Sequence, residues 1–197
     1  SVVLVAVLMI QLFGVYSGLL FILSRLNPLI FLKKMFNAML FAFSVSSSSA
    51  SIPVVLETVK EKLGVENGIA SFIIPLGATI NMDGTAIMQG VATVFVTNYF
   101  GYHLSMNDYV TIVFLATLAS IGTAAIPSAG LMTIQMILLQ IGVSSHQIDF
   151  GVGLIFAVDR LLDMLRTAVN VAGDAMVSCV VARSENKLSL EVFNDAN

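Results

Sequence analysis

Charge is scarce in this chain. Only 11% of its 197 residues are Asp, Glu, Lys or Arg, against about 25% in an ordinary soluble domain. The hydrophobic share is 57%. That imbalance excludes a water-soluble domain and identifies an integral membrane protein embedded in a lipid bilayer. Cysteine is almost absent. Cys179 stands alone, which excludes an internal disulfide and a thiolate metal cluster; it reads as a small packing residue. The net charge of −3 comes with no basic block, so nucleic acid is excluded as a partner. The two histidines, His103 and His146, lie in connections without a carboxylate at metal-ligand spacing. No nucleophile–base pair and no Gly-rich phosphate loop stands out, so neither an enzyme nor an organic cofactor is expected. The first residue is Ser1, and the apolar run behind it lacks a basic start and a small-residue cleavage site. A signal peptide is therefore not expected, and the chain reads as a piece of a longer protein.

What the chain has is five apolar segments. Residues 2–24 are long enough to cross, at about 20 residues per span. Residues 69–98 and 151–182 also cross, although they contain GATINMDGT and VDRLLDMLRTAVNVAGD. Residues 35–59 and 110–141 are broken, by SVSSSSASIP and SIGTAAIPSAG. The basic residues decide between spans and hairpins. Arg25, Lys33, Lys34, Lys60, Lys62, Arg183 and Lys187 flank the segments, and the connections near 99–109 and 142–150 carry none. If the two broken segments are re-entrant hairpins, all seven fall on one side, the cytoplasmic one by the positive-inside rule. If all five segments crossed, they would split between both sides. Each arm of the 35–59 segment has about 12 residues, roughly 18 Å of helix, and stops near the middle of a core about 30 Å thick. The expected fold is all-α: three transmembrane helices plus two opposed re-entrant helical hairpins, one entered from each side. Their tips, Ser46–Pro53 and Ser120–Gly130, should approach near the midplane, an inverted-repeat arrangement of the kind secondary transporters use.

The last segment carries the chemistry. On a helical projection Asp159, Asp163, Arg166, Asn170 and Asp174 share one stripe about 80° wide. Each charge costs roughly 2.5–3.5 kcal/mol at the bilayer centre, so the stripe must face protein, water or ligand. A purely structural alternative is internal neutralisation, with Arg160 and Arg166 paired to aspartates three or four positions away. In NMDGT, Asn81, Asp83 and Thr85 alternate around a helix that Gly77 and Gly84 relax, baring carbonyl oxygens that suit a hard cation such as Na+. The alternative is a kink with a buried Asp bonded to a hydroxyl. The serine run ends one short helix and starts another, and free N–H groups at a helix start suit a carboxylate; otherwise it is a polar turn. SIGTAAIPSAG offers carbonyls for a cation, or is a packing turn of small residues.

The order SSSS, NMDGT, ASIGTAAIP, DRLLDMLRTAVNVAGD resembles the dicarboxylate/amino acid:cation symporter family, the glutamate/aspartate transporters, over essentially the whole chain. The segments look like that family's C-terminal half, with the earlier helices and the scaffold that builds homotrimers absent. The resemblance implies a transport domain over residues 1–184, incomplete at its N-terminal side. Behind it comes a polar, loose cytoplasmic tail, 185–197, of a multi-pass plasma-membrane protein. It implies that Arg166 takes the substrate side-chain carboxylate, helped by Thr85, with Thr167 nearby. Asp163 takes the amino group, and Asn170 with Ser47 and the backbone around Ser48 takes the α-carboxylate. One Na+ would sit among Asp174 and the carbonyls of Gly77, Asn81 and Asn170. A second would use backbone oxygens of Thr79, Ser120, Ile121 and Thr123. A third would use Asp83 and Asn81, together with residues from a helix this chain lacks.

Two departures from relatives stand out. Some carry an arginine where Ser46 or Met164 stands; Arg160 is expected to serve the same end by reaching the serine tip. Relatives that also move protons or K+ often carry Glu where Gln89 stands, so H+ coupling through this position is not expected, and elsewhere it remains open. The resulting expectation is Na+-coupled symport of aspartate or glutamate by alternating access with hairpin gating. C4-dicarboxylate or proton-coupled glutamate symport is the neighbouring alternative. An ion channel built on the same stripe, or an inactive truncated fragment, is the alternative from another class.

Overall fold

The computed structural model describes residues 2–123 and 128–195. Apart from one isolated antiparallel bridge, Val65 to Leu188, the regular structure among the described residues is helical. The all-α expectation holds at that level.

The first segment is one continuous rod, Val2–Ser24. It comprises α1 (Val2–Met9), a π-helical stretch (Ile10–Tyr16) and α2 (Ser17–Ser24). Its buried side is Leu4, Leu8, Leu12, Tyr16, Leu20 and Ser24, a strict four-residue repeat. In an α-helix such a repeat drifts by about 40° per step. The wider π turn winds less per residue and returns part of that drift, so one edge stays against the core.

The second segment is a helix pair. Asn27 caps α3 (Pro28–Val45), accepting from Leu29 N at 2.9 Å, with Pro28 at the first turn. Both features favour a helix start, so the helix begins seven residues before the expected apolar boundary at 35. The arm is 18 residues long rather than about 12. Ser46, at φ 53, ends it in the left-handed region, and the Ser47 side chain then accepts from Ala50 N to start α4 (Ser48–Glu57). A second π-helical stretch, Thr58–Lys62, extends this arm.

The third segment does not cross as one helix. α5 (Asn67–Ile80) stops and α6 (Asp83–Tyr99) restarts, with Asn81 and Met82 in non-helical conformations between them. The break falls inside NMDGT. The fourth segment forms a second pair, α7 (Met106–Gly122) and α8 (Gly130–Gln140). Of its expected tip, residues 124–127 lie outside the described residues. The last segment is α9 (Ser145–Ser184), 40 residues without interruption and about 60 Å long. α3, α5, α6 and α8 all pack against it. Ala172, Ala175 and Ala182 are fully buried on it, and such small residues let helix backbones approach. Among the described residues two helices are long and apolar enough to cross a membrane, Val2–Ser24 and Pro28–Val45. Only the first coincides with an expected span.

The tail is docked rather than loose. After α9 the chain returns to the base of the α3–α4 pair, where Ser189 N donates to Gly64 O at 2.8 Å and Glu66 N to Lys187 O at 3.0 Å. A short helix, α10 (Leu190–Asn194), buries Phe193 completely. Lys34, only 8% exposed, donates from Nζ to Val192 O at 2.7 Å and Lys62 O at 2.9 Å. Leu188 and Phe193 find apolar cover there, which supplies what a purely polar tail would lack.

Candidate functional site

All five stripe residues of α9 are buried: Asp159, Asp163, Arg166, Asn170 and Asp174. Arg160, one step off the stripe, is exposed. The buried charges and amides meet two sets of partners.

The first set surrounds Asp163 and Arg166. Arg166 Nη2 donates to Asp163 Oδ1 in an ion pair within one helical turn. The other oxygen of Asp163 accepts from Ser128 N at 2.9 Å. The Ser128 hydroxyl in turn donates to Asp159 Oδ2 at 2.6 Å. With φ 59, Ser128 sits in the left-handed region, and its N–H and hydroxyl reach two successive carboxylates of α9. Asp159 Oδ1 is buried without a hydrogen-bond partner among the described residues. Arg166 Nη1 faces Met88 Sδ at 3.2 Å, a weak acceptor. A guanidinium has five donors in a fork suited to carboxylates, so among the described residues this one is undersupplied with strong acceptors. A Cβ on Gly130 would strike Arg166 Nη1; α8 can begin against the guanidinium only with glycine there.

One turn on, Asn170 joins α9 to the helix break. Its Oδ1 accepts from Gly84 N at 2.8 Å and its Nδ2 donates to Thr85 Oγ1 at 3.3 Å. A Cβ on Gly84 would stand 2.8 Å from Arg166 O and 3.0 Å from Asn170 Oδ1, so glycine permits this approach. Thr85 is buried. Thr167 is buried too, but its hydroxyl donates to Asp163 O of its own helix at 2.8 Å.

The second set surrounds Asp174, which accepts from Asn81 Nδ2 at 2.8 Å. A Cβ on Gly77 would collide with the Asp174 carboxylate, and one on Gly173 would stand 2.6 Å from Tyr16 Oη and 2.8 Å from Asn81 Nδ2. Two glycines thus clear a cradle around one carboxylate and one amide. Nearby, Asp83 Oδ2 accepts from Gln11 Nε2 at 3.0 Å and Tyr16 Oη at 3.1 Å. Sequence reasoning missed Gln11 and Tyr16. A lone Gln within an apolar span was the available signal, and the π-helical stretch that carries both residues is a feature frequent at functional sites.

The remaining expected residues are more dispersed. Ser47 and Ser48 stand at the start of α4, which packs against α5 and α9. The hydroxyls of Thr79, Ser120 and Thr123 donate to carbonyls of their own helices, those of Leu76, Thr117 and Ala119. Ile121 is 46% exposed. These four residues therefore have backbone oxygens to offer rather than side-chain ones, and α5 and α7, which carry them, pack together. Gln89 is fully buried and donates to the Thr133 hydroxyl. Among the described residues no group of three or more His, Cys, Asp or Glu could hold a metal ion. The donor set is carboxylate, amide and carbonyl oxygen, the set of a hard cation.

Comparison with known proteins gives a family for the chain. Residues 1–184 match the sodium:dicarboxylate symporter family. The chain is 44% identical over 161 residues to an excitatory amino acid transporter of Caenorhabditis elegans, covering 82% of this chain and 31% of that one. Excitatory amino acid transporter 3 of Mus musculus is 45% identical over 169 residues, covering 86% and 32%. Excitatory amino acid transporter 5 of Homo sapiens is 41% identical over 164 residues, covering 83% and 29%. The chain thus spans about a third of the length of the curated relatives it matches.

Proposed function

The chain belongs to the sodium:dicarboxylate symporter family, and on that premise we propose that it forms the substrate- and cation-binding part of a Na+-coupled symporter for aspartate or glutamate. The observation that carries this reading is the buried Asp163–Arg166 ion pair beside Asn170. A substrate bearing one ammonium and two carboxylates complements both members of the pair. Arg166 takes the side-chain carboxylate in its fork, and Asp163 takes the ammonium. Exchanging their mutual pair for two substrate pairs leaves neither buried charge uncompensated, which would otherwise cost several kcal/mol, about 3–5. Thr85 and Thr167 border the side-chain carboxylate. Asn170, with Ser47 and Ser48 at the positive end of α4, receives the α-carboxylate.

The cradle of Asp174, Asn81 and the Gly77 carbonyl fits Na+, with the carbonyl of Asn170 as a further oxygen. When bound there, Na+ supplies the positive charge that offsets Asp174. Thr79, Ser120, Ile121 and Thr123 offer a second set of backbone oxygens. Asp83 and Asn81 offer a third, in which Gln11 and Tyr16 fix one oxygen of Asp83. The α3–α4 and α7–α8 pairs are read as the two opposed re-entrant hairpins, since below Lys34 the α3 arm retains about 16 Å of helix. Ser128 holds the second pair against α9 through Asp163 and Asp159, and release of these contacts opens the site in an alternating-access cycle. In the complete protein, a plasma-membrane transporter, the C-terminus faces the cytoplasm and the missing scaffold carries homotrimer assembly.

Arg166→Ala in the complete protein tests this reading. Uptake of acidic amino acids should fall by about a hundredfold or more, with folding followed by thermal melting. An ion conductance that survives unchanged, with no saturable substrate uptake before or after the substitution, would favour a channel instead. Asp163→Asn separates the neighbouring substrate class: aspartate binding should weaken far more than succinate binding, and equal loss would argue for a dicarboxylate.

A further inference from the structure

A cavity of about 370 Å3 opens where α3 begins, the α4 extension ends and the tail returns. It lies apart from the α9 stripe. Among the described residues Lys33, Lys34 and Lys62 line it, with Asn37, Ile30 and the carboxylate of Asp195. Among the described residues three ammonium groups stand against one carboxylate, which suits an anion. Lys33, Asn37 and Lys62 are exposed and free to turn toward a ligand. Lys34 is held in place by the carbonyls of Lys62 and Val192, which use two of its three donors.

The α3 surface beside the cavity is apolar. Phe36 is 59% exposed and Leu40 51%. They follow Lys33 at three and seven positions, so all three share one face of the helix. A basic pocket with an exposed apolar strip running from its edge along the helix has the two parts of a phospholipid: a phosphate-bearing head and an acyl chain. A soluble anion would need only the first.

We propose that this cavity binds the headgroup of an anionic phospholipid, whose acyl chains lie along Phe36 and Leu40. The cavity would then face the cytoplasmic leaflet, where anionic lipids create a negative surface potential. This placement rests on the membrane orientation given above, but not on the identity of the transported substrate. The docked tail forms one wall, so lipid binding also pins α10 to the hairpin base.

The test uses the full-length protein in detergent, with lipid binding read by native mass spectrometry. The probes are phosphatidylserine, phosphatidylcholine and inorganic phosphate. Phosphatidylserine should bind at least about tenfold more tightly than phosphatidylcholine. The double variant Lys33→Gln, Lys62→Gln should weaken it by roughly five-fold per lysine, about twenty-five-fold in all. Both side chains are exposed and outside the substrate site, so the thermal melting midpoint should be unchanged and reports that the variant is folded. Full-strength binding by the folded double variant would overturn the proposal. So would inorganic phosphate displacing phosphatidylserine at equal concentration, which would mark an anion site without a lipid.

Discussion

Glycine sets the tolerances of the site at the scale of single residues. Gly77 is expected from the sequence as a carbonyl donor, but its tighter constraint is steric, since a methyl group there meets Asp174. Overpacking of this kind costs about 1–3 kcal/mol. Gly77→Ala should therefore weaken Na+ binding by roughly tenfold or more, measured as the Na+ dependence of thermal stability. Gly90→Ala is the control, because nothing stands within 4 Å of the added carbon, and it should leave the Na+ dependence alone. Asp163→Ala should cost about 3–5 kcal/mol of stability, since it leaves Arg166 buried and unpaired; chemical denaturation of the folded protein measures this. The α9 stripe was legible because charge in an apolar helix is expensive and the spacing puts it on one face. That Arg166 and Asp163 would pair with each other was open in the sequence, where internal neutralisation and ligand binding looked alike. Ser128 and Tyr16 were not legible, because each reaches its carboxylate across the fold, 31 and 67 positions away in sequence; for Gln11 a lone amide in an apolar span was a signal, but its partner lies 72 positions away.

Elements were legible where a local signal punctuates the chain. Glycine and polar residues in NMDGT mark the break between α5 and α6, and the serine run marks the turn between α3 and α4. The start of α3 was missed because Asn27 and Pro28 begin a helix before the hydropathy rises. The tail was misread because its apolar residues, Leu188, Leu190, Val192 and Phe193, are few and lie among polar ones. Their docking depends on the distant base of the first hairpin. Phe193→Ala removes a fully buried ring, worth about 3–5 kcal/mol in such a position. The amides of 188–195 should then exchange with solvent at least about tenfold faster, while those of α9 keep their protection. Unchanged exchange in the tail would mean that its backbone bonds to Gly64 and Glu66 suffice.

At the scale of the molecule, α9 is the common partner of both helix pairs and of the broken α5–α6 rod. One helix thereby brings the Asn81 amide and the Gly84 N–H of the helix break, the N–H of Ser128 and its own charges into adjoining clusters. Many large apolar side chains also stay exposed along the first rod and α7, among them Phe13, Phe21 and Phe114. That surface suits lipid or the helices of a longer chain, in keeping with a match to about a third of each relative's length. The central claim is that a cation at Asp174 and an acidic amino acid at Arg166 bind to neighbouring parts of one construction, joined through Asn170, Gly84 and Asn81. Calorimetric binding of aspartate to the full-length protein, in Na+ and in choline at equal ionic strength, tests it most directly. The account predicts that affinity rises with Na+ concentration by at least about tenfold for each coupled tenfold increase. Equal aspartate affinity in Na+ and in choline would contradict it.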